Sequence, residues 1–203
     1  YGQGVADEFM KSAKAAGGKV VGREFTTDKA TDFNAILTKL KGAKPDLIFY
    51  GGMDAVGGPM MRQMKQLGID ARFMGGDGIC TTEMAKLAGD ALGDGKVVCA
   101  EAGGVTADKA AVMEAFRKKF KEKTGLEVQL YAPYVYDAVN VMVAAMQKAN
   151  STDPKKYLPE LAKIQYDGVT GRISFDKHGD VKDGTLTLYT FKNGAKTQMM
   201  VTK

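Results

Sequence analysis

The chain has 203 residues, enough for one sizeable core or two smaller ones. Its 29 basic and 24 acidic residues leave a net charge of +5, interspersed along helical patterns as on a solvated surface. With no Arg-rich run interleaved with aromatics, that charge does not read as a nucleic-acid face, and no apolar run approaches the ~20 residues of a membrane span.

Tyr1-Gly2-Gln3-Gly4 leads into a helical pattern with Val5, Phe9 and Ala13 on one face, ended by Gly17-Gly18. The opening residues carry neither the charged nor the apolar region of a signal peptide, which leaves the compartment open. A strand is predicted from Lys19 to Phe25 around Val20 and Val21. Asp32 starts a second helix, with Phe33, Ile36, Leu37 and Leu40 at helical spacing, and Pro45 blocks its continuation. Leu47-Ile48-Phe49-Tyr50 is then a short unbroken apolar run that stops at Gly51-Gly52. Such a run predicts a strand covered on both faces, at the centre of a parallel sheet. Ligands of open parallel sheets sit just past the carboxyl ends of the strands, so Gly51, Gly52 and Met53 mark a candidate crevice.

A helix follows from Ala55 to Leu67, with Val56, Met60, Met64 and Leu67 inward and Gly68 as its stop. Asp70 to Met74 is a short strand closed by Gly75-Gly76-Asp77-Gly78. A short helix from Thr82 to Leu87 leads to a strand from Lys96 to Ala100. Helix and strand alternate four times, which predicts an α/β fold: a parallel sheet with helices on both faces and right-handed crossovers.

After Glu101 the pattern becomes helical. Asp108 to Lys123 places Val112, Phe116 and Phe120 inward. Pro133 opens a helix carrying Tyr134, Tyr136, Asp137, Ala138, Val141, Met142 and Ala145, and a third helix runs from Pro154 to Ile164. The tail is β: Gly171 to Phe175, a turn from Asp176 to Asp180, then Leu186 to Phe191 and Lys196 to Val201 joined by an Asn193-Gly194 hairpin turn. The three helices carry wide apolar faces with no obvious sheet to cover. The expectation is a sheet outside this chain.

Several motifs bear on chemistry. The glycines between Gly51 and Gly58 lack the Lys-Ser/Thr of a P-loop and the G-x-G-x-x-G spacing, so they suit backbone contact with a small ligand better than a nucleotide phosphate. Asp77, between glycines at a strand end, reads equally as a turn or cap aspartate and as a carboxylate facing the crevice, able to hold a cationic group. His178 is the only histidine and sits in a polar turn, so no hydrolytic triad is built elsewhere, and no nucleophile elbow is present. Asp176 and Asp180 lack the remaining positions of a calcium loop, and no metal or cofactor site is expected. Met60, Met61, Met64, Met199 and Met200 read as core filler. Tyr131 and Tyr134 are candidates for a pocket, whereas Tyr136 is expected to pack on a neighbouring sheet. Cys80 and Cys99 are either two buried thiols or one disulfide around an 18-residue loop, which would add about 3 kcal/mol in the chain-entropy model.

One ordered series carries a family resemblance: Tyr1 to Gly4; Asp32-Phe33 with Leu37 and Leu40-Lys41; Pro45 to Gly52; Phe73 to Gly78; Tyr136-Asp137-Ala138; and Phe175-Asp176 with Gly179-Asp180. It resembles the branched-chain amino-acid (Leu/Ile/Val) periplasmic substrate-binding proteins of ABC transporters, over essentially the whole chain. The resemblance implies a two-lobed type I binding-protein fold that closes on its ligand, is not an enzyme, and passes the ligand to a membrane permease. Residues 1–100 and 183–203 would form the second lobe, and 101–182 the C-terminal helical part of a first lobe whose sheet is absent. Tyr1 matches a ligand-lining tyrosine, Asp77 an acidic residue that binds the ligand's α-ammonium, and Tyr131 an aromatic of the opposite lobe. Met53 falls where some members have a pocket tyrosine. A periplasmic or lipid-anchored extracellular location follows, and such an oxidising compartment favours the Cys80–Cys99 disulfide. A receptor for amides or other small acids shares the fold. Alone, the chain is expected to self-associate through its unpartnered helices.

Overall fold

The computed structural model describes residues 1–103, 109–182 and 184–202. In chain order the elements are α1 (Gly2–Ala15), α2 (Asn34–Gly42), β1 (Leu47–Tyr50), α3 (Asp54–Gln66), β2 (Arg72–Gly75), α4 (Thr82–Ala88) and β3 (Val97–Ala102). They continue as α5 (Ala110–Thr124), α6 (Ala132–Ala149), α7 (Pro154–Leu161), β4 (Tyr166–Asp167), β5 (Arg172–Ile173), β6 (Leu186–Lys192) and β7 (Ala195–Thr202). The chain divides into two compact units, one of Tyr1–Ala102 with Leu186–Thr202 and one of Gly103–Thr185.

In the first unit a five-stranded sheet runs in the order β1-β2-β3-β6-β7. β1, β2 and β3 are parallel, and β6 and β7 are antiparallel, joined through Asn193 and Gly194, both at positive φ. Adjacent side chains of a strand point to opposite faces, and β1 uses both. Phe49 stacks on Phe9 of α1 with ring centroids 4.0 Å apart, while Tyr50 stacks on Phe73 of β2 at 5.7 Å on the α3 side. The helices thus cover both faces, as the apolar run predicts. The core is Phe33, Leu37, Phe73, Ile79, Met84, Val97 and Phe191, with Met60, Met61 and Met64 of α3 behind them. Each such side chain contributes about 1.5–3 kcal/mol by leaving water. The methionines of α3 are core filler, but Met199 and Met200 of β7 are half exposed.

Two expectations fail here. Residues 19–25 form no strand: they make no ladder with β1, and Val21 and Phe25 are exposed. A cavity of about 870 Å³, lined by Phe9, Val20, Val21, Ile36, Leu40 and Leu47, separates this segment from the sheet. Two valines followed by Gly22 and Arg23 present too little apolar surface to close it. In consequence β1 is an edge strand and not the predicted central one.

In the second unit, Val141, Ala145 and Ile164 form a small core with Leu161, Tyr166, Ile173 and Phe175 packed on it. Its anchor is Asp137 of α6, 2% exposed, which accepts hydrogen bonds from the Val169 and Thr170 amides at 3.0 and 2.8 Å and from the Thr170 hydroxyl. The predicted start of α5 at Asp108 lies outside the described residues. Its inward face differs from expectation: Met113 is buried and Val112 exposed, with Phe116 and Phe120 half-buried. Tyr136 packs on Phe116, ring centroids 5.1 Å apart, and not on a sheet. α7 stops three residues earlier than predicted, although Ile164 is still buried. The predicted strand from Gly171 shrinks to β5, paired with β4, and a Phe175–Val181 bridge.

Candidate functional site

In the first unit the carboxyl ends of β1 and β2 lie side by side, with Tyr50 opposite Gly75 in register. β1 turns at Gly51-Gly52 into α3, with Met53 at the N-cap. β2 turns at Gly75-Gly76 into a single 3-10 turn, Asp77–Ile79. The start of α1 meets both. A Cβ on Gly51 would stand 2.2 Å from the Gly2 carbonyl oxygen, and one on Gly2 would stand 2.9 Å from that of Gly51. Only a glycine on each side lets these backbones touch, and the touch puts Tyr1 at the strand ends.

There the Tyr1 hydroxyl donates a hydrogen bond to Asp77 Oδ1. Desolvation of the phenol, then its hydrogen bond to Asp77 and the carboxylate's charge, push the Tyr1 pKa up to about 12, against a smaller opposing effect of the Gly78 backbone. At neutral pH Tyr1 is therefore a firm donor. Met53 lies over the same turn: its sulfur would be 2.7 Å from a Cβ on Gly78, as would the Gly52 carbonyl oxygen. Gly78 is thus a required glycine, and Met53 covers it while staying half exposed. Beneath Gly52, burial raises the pKa of Tyr50, whose hydroxyl oxygen is bonded to the Met53 backbone.

Past the turn, Cys80 and Cys99 form a disulfide with Cα atoms 5.4 Å apart, both fully buried, which settles the choice between two thiols and a bridge. Thr81 donates its hydroxyl to Asp54 Oδ2 and also caps α4 by accepting the Met84 amide at 3.1 Å. Asp77 itself caps no helix; it is the first residue of the 3-10 turn. Tyr1, Met53 and Asp77 are therefore gathered at one place. Tyr131 belongs to the other unit, where it precedes α6 and is half exposed. Tyr134, of the same unit, approaches Gly103 closely, its hydroxyl 2.4 Å from where a Cβ would sit.

His178 is exposed in a β-turn, with Asp176 Oδ1 accepting from the His178 and Asp180 amides. Among the described residues no group of three His, Cys, Asp or Glu could hold a metal ion, and no helix is long and apolar enough to cross a membrane. Asp54, Glu101 and Lys196 also hold the site's turns and were not legible in the sequence. Glu101 to Lys196 spans 95 positions, and no local pattern marks such a pair. The chemistry on offer is a carboxylate oriented by a phenol, beside a thioether and glycine-rich backbone. That set suits a small ligand with a cationic end.

The fold is α/β, with the candidate site at the carboxyl ends of its parallel strands. Residues 1–196 match the family model for "Periplasmic binding protein". Among curated relatives, the chain is 33% identical over 200 residues to the leucine-, isoleucine-, valine-, threonine-, and alanine-binding protein of Pseudomonas aeruginosa, covering 98% of this chain and 52% of that protein. It is 35% identical over 196 residues to Leu/Ile/Val-binding protein homolog 1 of Brucella abortus, covering 96% and 52%. Among solved structures, the leucine-binding protein LivK of Thermotoga maritima superimposes with a TM-score of 0.82 at 28% identity, covering 97% of this chain and 55% of that one. LivJ of Streptococcus pneumoniae, in complex with isoleucine, gives 0.77 at 28% identity, covering 97% and 56%. The chain belongs to the periplasmic binding protein family and has the type I fold of these neighbours. It spans about half the length of the curated relatives it matches.

Proposed function

We propose that this chain forms part of a non-catalytic receptor for a small α-amino acid, branched-chain or otherwise aliphatic. Residues 1–100 and 183–203 act as one ligand-binding lobe, and residues 101–182 as the C-terminal part of the other. The lobes close on the ligand about a hinge and deliver it to an ABC-transporter permease. The protein works in the periplasm, or lipid-anchored outside the cell. The observation that carries this reading is the Asp77 carboxylate at the end of β2, held by the Tyr1 hydroxyl. There it would accept charge-assisted hydrogen bonds from an α-ammonium group. Tyr1 and Met53 would flank the side chain, and Tyr131 would approach from the opposite lobe. The relatives' names, for leucine, isoleucine and valine and in one case also threonine and alanine, support the ligand class.

The test is calorimetry on the protein with both lobes. Asp77→Asn is expected to weaken amino-acid binding by about 2 kcal/mol or more, as for removal of one partner of a buried charge pair. Unchanged affinity would remove Asp77 from the site. A ligand panel in which short amides bind and no α-amino acid does would replace the amino-acid reading with an amide receptor.

A further inference from the structure

Asp77 stands in a glycine-rich turn that is also anchored from outside. Gly75, Gly76 and Gly78 surround it, and glycine restricts the backbone least of all residues. One of the outside anchors comes from the last hairpin. Lys196 of β7 extends its ammonium across the sheet, over the ring of Tyr189 at 4.6 Å, to Glu101 Oε1 and to the carbonyl oxygen of Cys80 at 3.2 Å. The ion pair is nearly enclosed: the side chains of Lys196 and Glu101 are 24% and 9% exposed. Cys80 in turn donates its amide to the Asp77 carbonyl at 2.9 Å. Its side chain is bonded to Cys99 on β3, and its neighbour Ile79 is fully buried. Residue 80 is thus held at its amide, its carbonyl and its sulfur, three positions past the carboxylate.

We propose that Lys196 is a positioning residue for Asp77. Its ammonium, fixed by Glu101, grips the Cys80 carbonyl, and the grip passes through the Cys80 amide to the Asp77 backbone. With the disulfide it sets the carboxylate at the height where an α-ammonium docks; the role in ligand binding rests on the amino-acid reading above. Lys196 touches no ligand. It acts only through the turn.

Two variants of the full-length protein test this. Lys196→Met leaves Glu101 as a lone buried charge, which destabilises folds strongly, so Lys196→Met/Glu101→Gln, which removes both charges together, accompanies it. The first readout needs no ligand. Amide hydrogen exchange at Cys80 is expected to accelerate at least tenfold in the double variant, with the Phe73 amide of β2 unchanged. The second is calorimetry with leucine and its α-hydroxy analogue, 2-hydroxy-4-methylpentanoate. Leucine is expected to lose at least fivefold in Kd and the analogue less than twofold, because only the ammonium depends on the exact height of the carboxylate. Unchanged exchange at Cys80, or equal losses for both ligands, would overturn the positioning role. If the unmutated protein binds neither compound, the amino-acid reading falls instead, and exchange at Cys80 alone decides the role of Lys196.

Discussion

At the scale of the residue, the Tyr1–Asp77 contact gives a sharp expectation. Tyr1 keeps its proton to about 12 in the folded chain, against 10.0 for an unperturbed phenol. A proton held more tightly in the folded state stabilises it fully below the unfolded value and ceases to as pH rises through the folded one. The stabilisation tied to this desolvated, hydrogen-bonded phenol is therefore complete below pH 10 and lost between pH 10 and 12. Ultraviolet titration of the protein minus that of Tyr1→Phe should show one phenol ionising near 12, and the stability of Tyr1→Phe should fall less steeply across that window. A difference spectrum centred at 10 would mean that Tyr1 is not bound to Asp77 in solution. The sequence alone left Asp77 balanced between turn residue and carboxylate facing a crevice. Both its partner across 76 positions and the disulfide behind it are non-local, and local spacing carries no trace of either.

At the scale of the element, the site depends on α1 reaching the end of β1. Gly51→Ala should force these backbones apart, at a cost of about 2 kcal/mol typical of an overpacked contact, and should return the Tyr1 titration toward 10. Denaturant unfolding and the same difference spectrum check both; an unchanged Tyr1 would show that α1 docks without the glycine contact. β1 and β2 were legible because short strand patterns ended in glycine, β3 as an apolar run following a short helix, and the final hairpin because of Asn193-Gly194. The strand expected at 19–25 was not realised, because a strand is defined by a partner and β1 offers this segment only a cavity. On α5 the buried position is Met113 and not Val112, a rotation of one residue. Helical periodicity fixes a face only to about that margin when charged residues flank it closely on both sides.

At the scale of the whole molecule, α6 exposes Val135, Tyr136, Val139, Met142 and Val143 along one side. Only Tyr136 and Met142 of this side belong to the face that sequence periodicity picked out; Val141 and Ala145 of that face are buried in the unit's own core instead. An exposed apolar side in water favours association. Light scattering on the chain by itself should therefore show a mass that rises with concentration, and Val139→Lys with Met142→Lys should reduce it to that of a monomer. A monomer at every concentration without these changes would refute association through α6. The turn that presents Asp77 also has a consequence in time. Its supports come from Tyr1, Asp54, Cys99 and Lys196, up to 116 positions away from the residues they hold. Contacts of such separation form late, after the entropy of closing long loops has been met. If Lys196 positions Asp77 as proposed, the carboxylate reaches its final place only once β7 has docked. On that reading, a chain with β1 to β3 assembled has the strand ends, and its candidate site is completed only by the docking of the last hairpin.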